Sequence, residues 1–261
     1  MNDAPIYFAE FNQAMVRASE MARQTFKYFW RELSWEYRRI IPGLEIAAIK
    51  MPFPVPEGVA DAPEVEQMWI GEIEFDGETI TGVLLNKPQW LDSIGAGEAV
   101  AMHWGDMSDW MYAINGQVYG AYTVNVMRSQ MTPSELAQHD AAWGLEFGDP
   151  TVIQVTSATQ VRLQDNAVLD DVAEPEHPMS ENMTEQIKQA LAENPTMATT
   201  VDESGWSLLH REALAGNLTP VRILLQYGAD PTAPNVKGES TIDLAQKMNW
   251  PRIVRVLNSS L

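Results

Sequence analysis

The sequence predicts an α+β fold in which a long N-terminal helix and an antiparallel-sheet domain are followed by a short all-α array of repeated helix pairs. Apolar residues recur every three or four positions between residues 9 and 39, which is the period of an amphipathic helix. Asp76-Gly77 and Asn115-Gly116 each separate two strand-like stretches, which indicates two β-hairpins. Near the C-terminus, a segment around Gly205 returns at Gly238, a period of 33 residues.

The elements of the N-terminal part follow from local signals. Pro42-Gly43 ends the first helix, and residues 52–66 form a loop because they hold four prolines and four acidic residues without any period. Thr132-Pro133-Ser134-Glu135 is a capping box with proline at the first helical position. The predicted elements after the first helix are strands at 44–51, 68–75, 78–85 and 97–100, a hairpin of 110–114 with 117–126, a helix at 133–142 and a strand at 151–155.

The two C-terminal repeats carry the same turn and cap signals. Gly205 and Gly238 stand where a tight turn needs positive φ, and Ser207 can cap a first helix and bond toward His210 in the next turn. Gly216-Asn217 breaks between two helices, and Gly228 ends the second in the left-handed conformation. With these turn and cap residues, the segment from Asp202 to Pro231 and the segment from Asn235 to Leu257 resemble ankyrin repeats.

The ankyrin resemblance implies a binding surface and not an active site, because such units stack into a concave surface that binds other proteins. A helix at 183–195 resembles the second helix of a degenerate first unit, which makes about two and a half units. Three units are the usual minimum for independent stability, so the array is expected to lean on the rest of the chain. The predicted organisation is an α+β domain at 1–155, a polar linker at 156–180 and ankyrin repeats at 181–261.

The N-terminal part shows a second resemblance, which rests chiefly on Asp109-Trp110-Met111-Tyr112. Together with Trp69, Gly82 and Gly120, this signature is similar to the YegJ-like bacterial domain over roughly residues 12–130. The resemblance implies a fold and carries no activity over to this chain.

The charge of the chain restricts its partners. The net charge is −19, and residues 1–175 hold 26 acidic against 10 basic residues, whereas residues 176–261 hold 10 against 7. Nucleic acids and anionic membranes need positive charge, so neither is expected as a partner, while a basic protein is compatible. The chain has no cysteine, no apolar run of membrane-spanning length and no signal-peptide pattern. A cytoplasmic location is therefore expected.

The densest cluster of polar and aromatic residues is 103–112. His103, Asp106 and Asp109 could form a metal site or an acid–base pair, but their spacing fits no zinc signature and no further residue converges on them by sequence. Phosphate-binding and nucleophile motifs are likewise missing from the sequence. The alternative is structural: Asp109 bonds to backbone at the mouth of a hairpin while Trp110 and Tyr112 pack. We expect no enzyme activity, no cofactor and no metal.

These observations favour a non-catalytic protein that binds another protein. The most specific hypothesis is a bacterial immunity protein that neutralises a basic toxin, since charge complementarity speeds capture. The alternatives are a bacterial ankyrin adaptor or stress-response protein and, third, a small-molecule enzyme using His103, Asp106 and Asp109. The predicted partner-binding residues are Glu57, Asp61, Glu64 and Glu66 in the acidic loop, Trp104 and Asp106 in the aromatic cluster, and Trp206, Asn235 and Lys237 in the repeats.

Overall fold

The structure is a computed structural model that describes residues 13–157, 159–163 and 176–261. It divides into two compact units. The first consists of the described residues of Met1–Phe29 and Arg38–Ala167, and the second consists of Trp30–Tyr37 and the described residues of Val168–Leu261. The first helix, α1 (Gln13–Glu36), therefore supplies residues to both units. Residues 9–12 of the predicted helix lie outside the described ranges.

The first unit is built on a six-stranded sheet, as the predicted fold class requires. Its strands are β1 (Ile46–Pro54), β2 (Val65–Phe75), β3 (Thr79–Leu84), β4 (Ala99–His103), β5 (Asp109–Ile114) and β6 (Gln117–Gly120). Their order is β4-β3-β2-β1-β5-β6, and every neighbouring pair is antiparallel. Strands β4 and β6 are consequently the two edges of the sheet.

Both predicted hairpins are present and are set by local turn chemistry. Asp76 accepts hydrogen bonds from the N–H groups of Glu78 and Thr79 at 3.0 and 2.7 Å, which closes the β2–β3 turn. Asn115 and Gly116 both have positive φ, 51° and 78°, as the tight turn between β5 and β6 demands.

Aromatic side chains form the core between α1 and the sheet. Phe26 meets Phe75 edge-on, with ring centroids 5.2 Å apart. Phe29 lies 5.8 Å from Trp110 and 6.4 Å from Tyr112, both fully buried. Trp110 also donates from Nε1 to the carbonyl of Ala22 in α1 at 2.8 Å. The expectation that Trp110 and Tyr112 pack is confirmed.

The return strand predicted at 117–126 is wrong beyond Gly120. There the chain turns into helix α2 (Tyr122–Arg128), because Gly120 and Ala121 both adopt the left-handed conformation, with φ of 76° and 58°. A Cβ at Gly120 would lie 2.3 Å from the carbonyl oxygen of Trp110, so the close approach requires glycine. Val124 and Val126 are buried and alternate with polar residues, which produced the false strand signal.

Helix α3 (Pro133–Trp143) begins at the predicted capping box on Thr132. It is followed by a two-stranded sheet of β7 (Val152–Thr156) and β8 (Thr159–Arg162). Strand β8 lies inside the range of 156–180 that was expected to be a polar linker. Its neighbours in sequence are polar, but its Val161 is buried. Of the remainder of that linker, residues 164–175 lie outside the described ranges.

The second unit contains the predicted helix pairs. Its helices, besides the end of α1, are α4 (Pro178–Asn182), α5 (Thr184–Glu193), α6 (Leu208–Ala215), α7 (Leu218–Gln226), α8 (Thr241–Lys247) and α9 (Pro251–Asn258). Ser207 and Ser240, 33 residues apart, each form a capping box with the third helical residue. Gly216 ends α6 with φ of 81°. Among the described residues, no helix is both long enough and apolar enough to cross a bilayer.

The last two turns of α1 are part of this helical unit. Trp35 donates from Nε1 to Oδ1 of Asn217, 182 residues away in sequence, at 2.9 Å, and stacks on the ring of His177 at 5.8 Å. Nε2 of His177 lies 2.9 Å from a carboxylate oxygen of Glu32. The guanidinium of Arg31 lies 5.3 Å from the ring centre of Trp250. The short repeat array is thus extended by a helical segment that precedes the sheet in sequence.

Candidate functional site

The tips of the two repeats are shaped by the same turn at positions 33 residues apart. Oδ1 of Asp202 accepts hydrogen bonds from the N–H groups of Ser204 and Trp206, both at 2.9 Å. Oδ1 of Asn235 accepts in the same way from Lys237 and Glu239, at 2.9 and 3.0 Å. These turns fold each tip back on itself, and together they form the repeat-tip surface, defined here as residues 201–206 and 235–239.

The two tips are joined directly. The N–H of Val236 donates to the carbonyl of Ser204 at 3.1 Å, so consecutive turns lie side by side. A Cβ at Gly205 would lie 3.1 Å from the backbone of Asn235 and Val236, which shows how closely the turns approach. The repeat-tip surface is therefore continuous across the two units.

Apolar side chains are exposed on this surface. Val236 is 71% exposed and Val201 is 50% exposed. Trp206 is half-buried, with Arg211 over its ring at 5.9 Å and the ring of His210 at 5.8 Å. The repeat-tip surface thus presents two exposed valines and a half-buried tryptophan. Sequence reasoning found Trp206 but missed both valines, because exposure at a turn cannot be read from residue type.

The repeat-tip surface also carries charged groups of both signs. Arg211 forms an ion pair with Asp202 at 2.6 Å, which fixes the guanidinium beside Trp206. Lys237 is exposed at the tip, whereas Asn235 is buried and its side chain is used within its own turn. The side chain of Asn235 is therefore not accessible to a partner protein.

His210 lies beneath the tips as part of the scaffold. Its Nδ1 accepts from the backbone N–H of Ser207 at 3.2 Å, and its Nε2 lies 2.9 Å from the carbonyl of Ala233. Nδ1 as an acceptor leaves the proton on Nε2, so this arrangement suits a neutral ring. Burial lowers the pKa of His210, although hydrogen bonds to backbone carbonyls oppose the shift.

Three of the four acidic residues predicted in the loop before β2 are accessible. Glu57, Asp61 and Glu64 are exposed. Glu66 is only 5% exposed, because its carboxylate accepts from the backbone N–H groups of Gln89 and Trp90 at 2.7 and 3.0 Å. The expectation that Glu66 is exposed is wrong: it closes a loop within the first unit.

The cluster at 103–112 does not form one polar site. His103 is exposed and its Nδ1 accepts from the N–H of Gly105 at 3.0 Å, whereas Asp109 is fully buried. Trp104 is half-buried, with its ring stacked on Phe26 at a centroid distance of 6.3 Å, whereas Asp106 is exposed. Within the ranges that the structure describes, no group of three or more histidines and carboxylates is placed to hold a metal ion.

Asp109 is instead the centre of a buried hydrogen-bond network. Its carboxylate accepts from the N–H groups of Tyr122 and Thr123 at the start of α2, at 2.9 and 2.7 Å, and from the Thr123 hydroxyl at 2.6 Å. The ammonium of Lys50 donates to the same hydroxyl at 2.9 Å and lies over the ring of Trp69. Burial raises the pKa of Asp109 and lowers that of Lys50, and their mutual attraction opposes both shifts. Asp109 bonds to backbone, as expected, but at a helix start.

Comparison with known proteins finds a bacterial family and a full-length relative. Residues 12–147 match the family described as an uncharacterized protein conserved in bacteria (DUF2314). Over 262 residues, 41% are identical to a protein of Neisseria meningitidis serogroup B that is named as an ankyrin repeat protein, and the match covers 98% of each chain. This full-length relative supports the interpretation of the C-terminal repeats as ankyrin units.

Two further relatives match only part of the chain. The Escherichia coli K12 protein YegJ is 27% identical over 73 residues, which cover 28% of this chain and 48% of YegJ. Human protein phosphatase 1 regulatory subunit 27 is 32% identical over 75 residues, which cover 29% of this chain and 49% of that protein. The resemblance to YegJ is thus supported over 73 residues of this chain.

Proposed function

We propose that this chain, which belongs to the bacterial DUF2314 family, acts by binding another protein through its repeat-tip surface. The observation that carries the proposal is the exposure of Val201 and Val236 on the two joined turns, one of which also carries half-buried Trp206. A surface of this kind gains from being covered by a partner, since apolar area is removed from water. One relative is named as an ankyrin repeat protein and another as a regulatory subunit of a phosphatase, names that fit a role in binding proteins.

The partner that fits the charge of the chain is a basic protein. The net charge is −19, and Glu57, Asp61 and Glu64 stand exposed on one loop. A negative field of this size attracts a positively charged protein and raises its association rate, an effect that weakens as salt screens it. A nucleic acid or an anionic membrane would be repelled.

In its most specific form, the proposal is that the chain is a cytoplasmic bacterial immunity protein that binds and neutralises a basic toxin. An acidic binding protein suits this task because capture must outpace the action of the toxin, and electrostatic steering accelerates capture. The alternative is an adaptor or stress-response protein that uses the same surface. Catalysis at His103, Asp106 and Asp109 is the third candidate, and the burial of Asp109 away from exposed His103 speaks against it.

Substitution on the repeat-tip surface tests the binding proposal. Val236→Asp and Leu261→Asp place the same charge at positions of nearly equal exposure, 71% and 72%, in the same unit. We expect Val236→Asp and Trp206→Ala to abolish co-purification of a partner from the native bacterium, while Leu261→Asp retains it. Loss of the partner in the Leu261→Asp control, or its retention in both tip variants, would contradict the proposal.

The immunity form needs a separate experiment. The gene beside the one for this chain is expressed in Escherichia coli with and without the chain. We expect growth arrest that the wild-type chain relieves and the Val236→Asp chain does not. A toxic neighbour that the wild-type chain fails to neutralise would eliminate the immunity function and leave the binding proposal standing.

A further inference from the structure

The two edges of the six-stranded sheet differ. Next to β6, the segment around Glu146 covers the edge: the N–H of Val118 donates to the Glu146 carbonyl at 3.0 Å, and the N–H of Glu146 donates to the carbonyl of Gly116 at 2.7 Å. On the other side, β4 has β3 as its one strand partner within the described part of the chain. Strand β4 is thus an open edge, and proteins usually protect such edges with lysine, proline or a bulge.

The hydrogen bonds between β3 and β4 show which residues of β4 have backbone groups that face away from the sheet. The N–H of Leu84 donates to the Glu98 carbonyl at 3.0 Å, and the N–H of Trp104 donates to the Glu78 carbonyl at 2.9 Å. Hydrogen-bonded and non-bonded pairs alternate along an antiparallel ladder, so even-numbered residues of β4 bond to β3. The N–H and C=O groups of Ala99 and Ala101 and the N–H of His103 point away from the sheet, and the side chains of all three are exposed. The C=O of His103 belongs to the short 3-10 turn Trp104–Asp106 that follows.

Small side chains beside this edge leave an open groove of about 400 Å³ on the solvent face of the sheet. The residues that line it include Ala99 and Ala101 of β4, Thr81 of β3, and Glu72 and Glu74 of β2. Gly82 faces the buried side of β3, where a Cβ would lie 2.7 Å from the carbonyl oxygen of Gly71. A bulge between β2 and β3 places Glu72 at a φ of 51°, a conformation that non-glycine residues rarely adopt.

The groove and the edge are strongly negative. Residues 65–106 hold eight acidic residues and one basic residue, and Glu98 is exposed at the start of β4. Pairing of β4 with a second copy of the chain would bring these carboxylates together, and like charges at close range are destabilising. A strand that carries lysine or arginine would be attracted instead.

We propose that the outer edge of β4 binds an extended, basic segment of a partner protein, which adds a seventh strand to the sheet. The outward N–H and C=O groups of Ala99 and Ala101 and the N–H of His103 pair with the backbone of this segment. Its lysine or arginine side chains lie across Ala99 and Ala101, with their aliphatic parts in the groove and their charged groups toward Glu72 and Glu74. The inference rests on the proposed function because it takes the partner to be a basic protein. The surface that binds this partner is the edge of β4 and not the repeat-tip surface.

The test uses the full-length chain and a defined probe, a short labelled peptide of alternating lysine and valine. Ala101→Pro removes an outward N–H and leaves the β3–β4 ladder intact, because proline is tolerated at sheet edges. The matched control, Ala101→Ser, keeps the N–H. We expect Ala101→Pro to weaken binding about tenfold or more, as loss of strand pairing requires, while Ala101→Ser binds within about twofold of wild type. A peptide of alternating glutamate and valine should not bind.

A measurement on the wild-type chain keeps the proposal testable if Ala101→Pro does not fold. The bound lysine–valine peptide should slow hydrogen exchange at the amides of Ala99, Ala101 and His103. Exchange at these amides that the peptide leaves unchanged, or equal affinity of Ala101→Pro and wild type, would overturn the proposal. A dimer in sedimentation that Ala101→Pro dissociates would assign the edge to a second copy and would also overturn it.

The outcome is separable from that of the proposed function. If the peptide fails to bind while the native partner is still lost on Val236→Asp, the open edge is not a binding site and the repeat-tip proposal stands. If the peptide binds at β4 but no partner depends on Val236, the edge proposal stands and the repeat-tip proposal fails.

Discussion

At the scale of single residues, the buried charged side chains of Asp109 and Lys50 belong to one hydrogen-bond network. Asp109 is fully buried and bonds to the start of α2, to Thr123 and, through that hydroxyl, to Lys50. A buried carboxylate beside a buried ammonium is costly to desolvate, so the pair is stable only while both partners remain. The role of Asp109 is thus to hold the sheet and α2 together.

Asp109→Ala should lower the free energy of unfolding by about 3–5 kcal/mol, because it leaves Lys50 buried without its counter-charge. Asp106→Ala is the control, since Asp106 is exposed and outside the network. That variant should change stability by less than about 1 kcal/mol. Urea denaturation followed by tryptophan fluorescence measures both. Similar stability of the two variants would show that the network is not stabilising.

His210 makes the helical unit sensitive to acid. Its pKa is lowered in the folded state, so the unfolded chain binds more protons once the pH falls to the ordinary value of 6.5. The free energy of unfolding therefore falls as the pH drops through 6.5 toward the folded-state pKa, and it is regained on return to neutral pH.

We expect His210→Asn to flatten this decline in stability between about pH 7 and pH 5, since asparagine does not titrate. Thermal melting across the pH range measures the slope. An unchanged slope in His210→Asn would mean that another group is responsible.

At the scale of elements, Gly116 and Gly120 have the same backbone conformation but differ in the space around them. Gly116 and Gly120 have nearly the same φ, 78° and 76°. A Cβ at Gly116 would meet nothing within 4 Å, whereas a Cβ at Gly120 would lie 2.3 Å from the Trp110 carbonyl and 2.4 Å from its ring. Gly120 is thus fixed by both backbone and neighbours, and it decides where β6 ends and α2 begins.

Gly116→Ala should cost about 1 kcal/mol, from backbone strain alone. Gly120→Ala should cost at least about 2 kcal/mol more, because the added methyl displaces Trp110 in the core. Denaturant melts of the two variants give the difference directly. Equal costs would show that the core around Trp110 relaxes freely.

At the scale of the whole molecule, the repeat array depends on a segment far away in sequence. Trp30–Tyr37 belongs to the same compact unit as the repeats, and Trp35 supplies a hydrogen bond to the buried side chain of Asn217. Short repeat arrays are marginal without such an addition, because each repeat buries its apolar face only against neighbours.

A fragment of residues 176–261 should therefore lack a cooperative unfolding transition. Addition of a peptide of residues 27–39 should restore helical circular dichroism and a transition, and the same peptide with Trp35→Ala should not. Cooperative unfolding of the fragment alone would show that the repeats are independent of α1.

The sequence by itself determined the features that depend on neighbours along the chain. The 33-residue period, the caps at Ser207 and Thr132, and the hairpin turns at Asp76-Gly77 and Asn115-Gly116 are set by backbone conformation and hydrogen bonds within a few residues. Such interactions use residue types whose conformational preferences are intrinsic. The fold class followed from them.

Only the tertiary structure decided which side chains are accessible and which groups meet. Glu66 and Asn235 were predicted on the surface, but each accepts two backbone N–H groups and is buried. Asp109 and Lys50 pair across adjacent strands, and the open edge of β4 exists because no other described strand reaches it. These features depend on contacts between residues far apart in sequence, and the energies of such contacts arise only when the chain is packed.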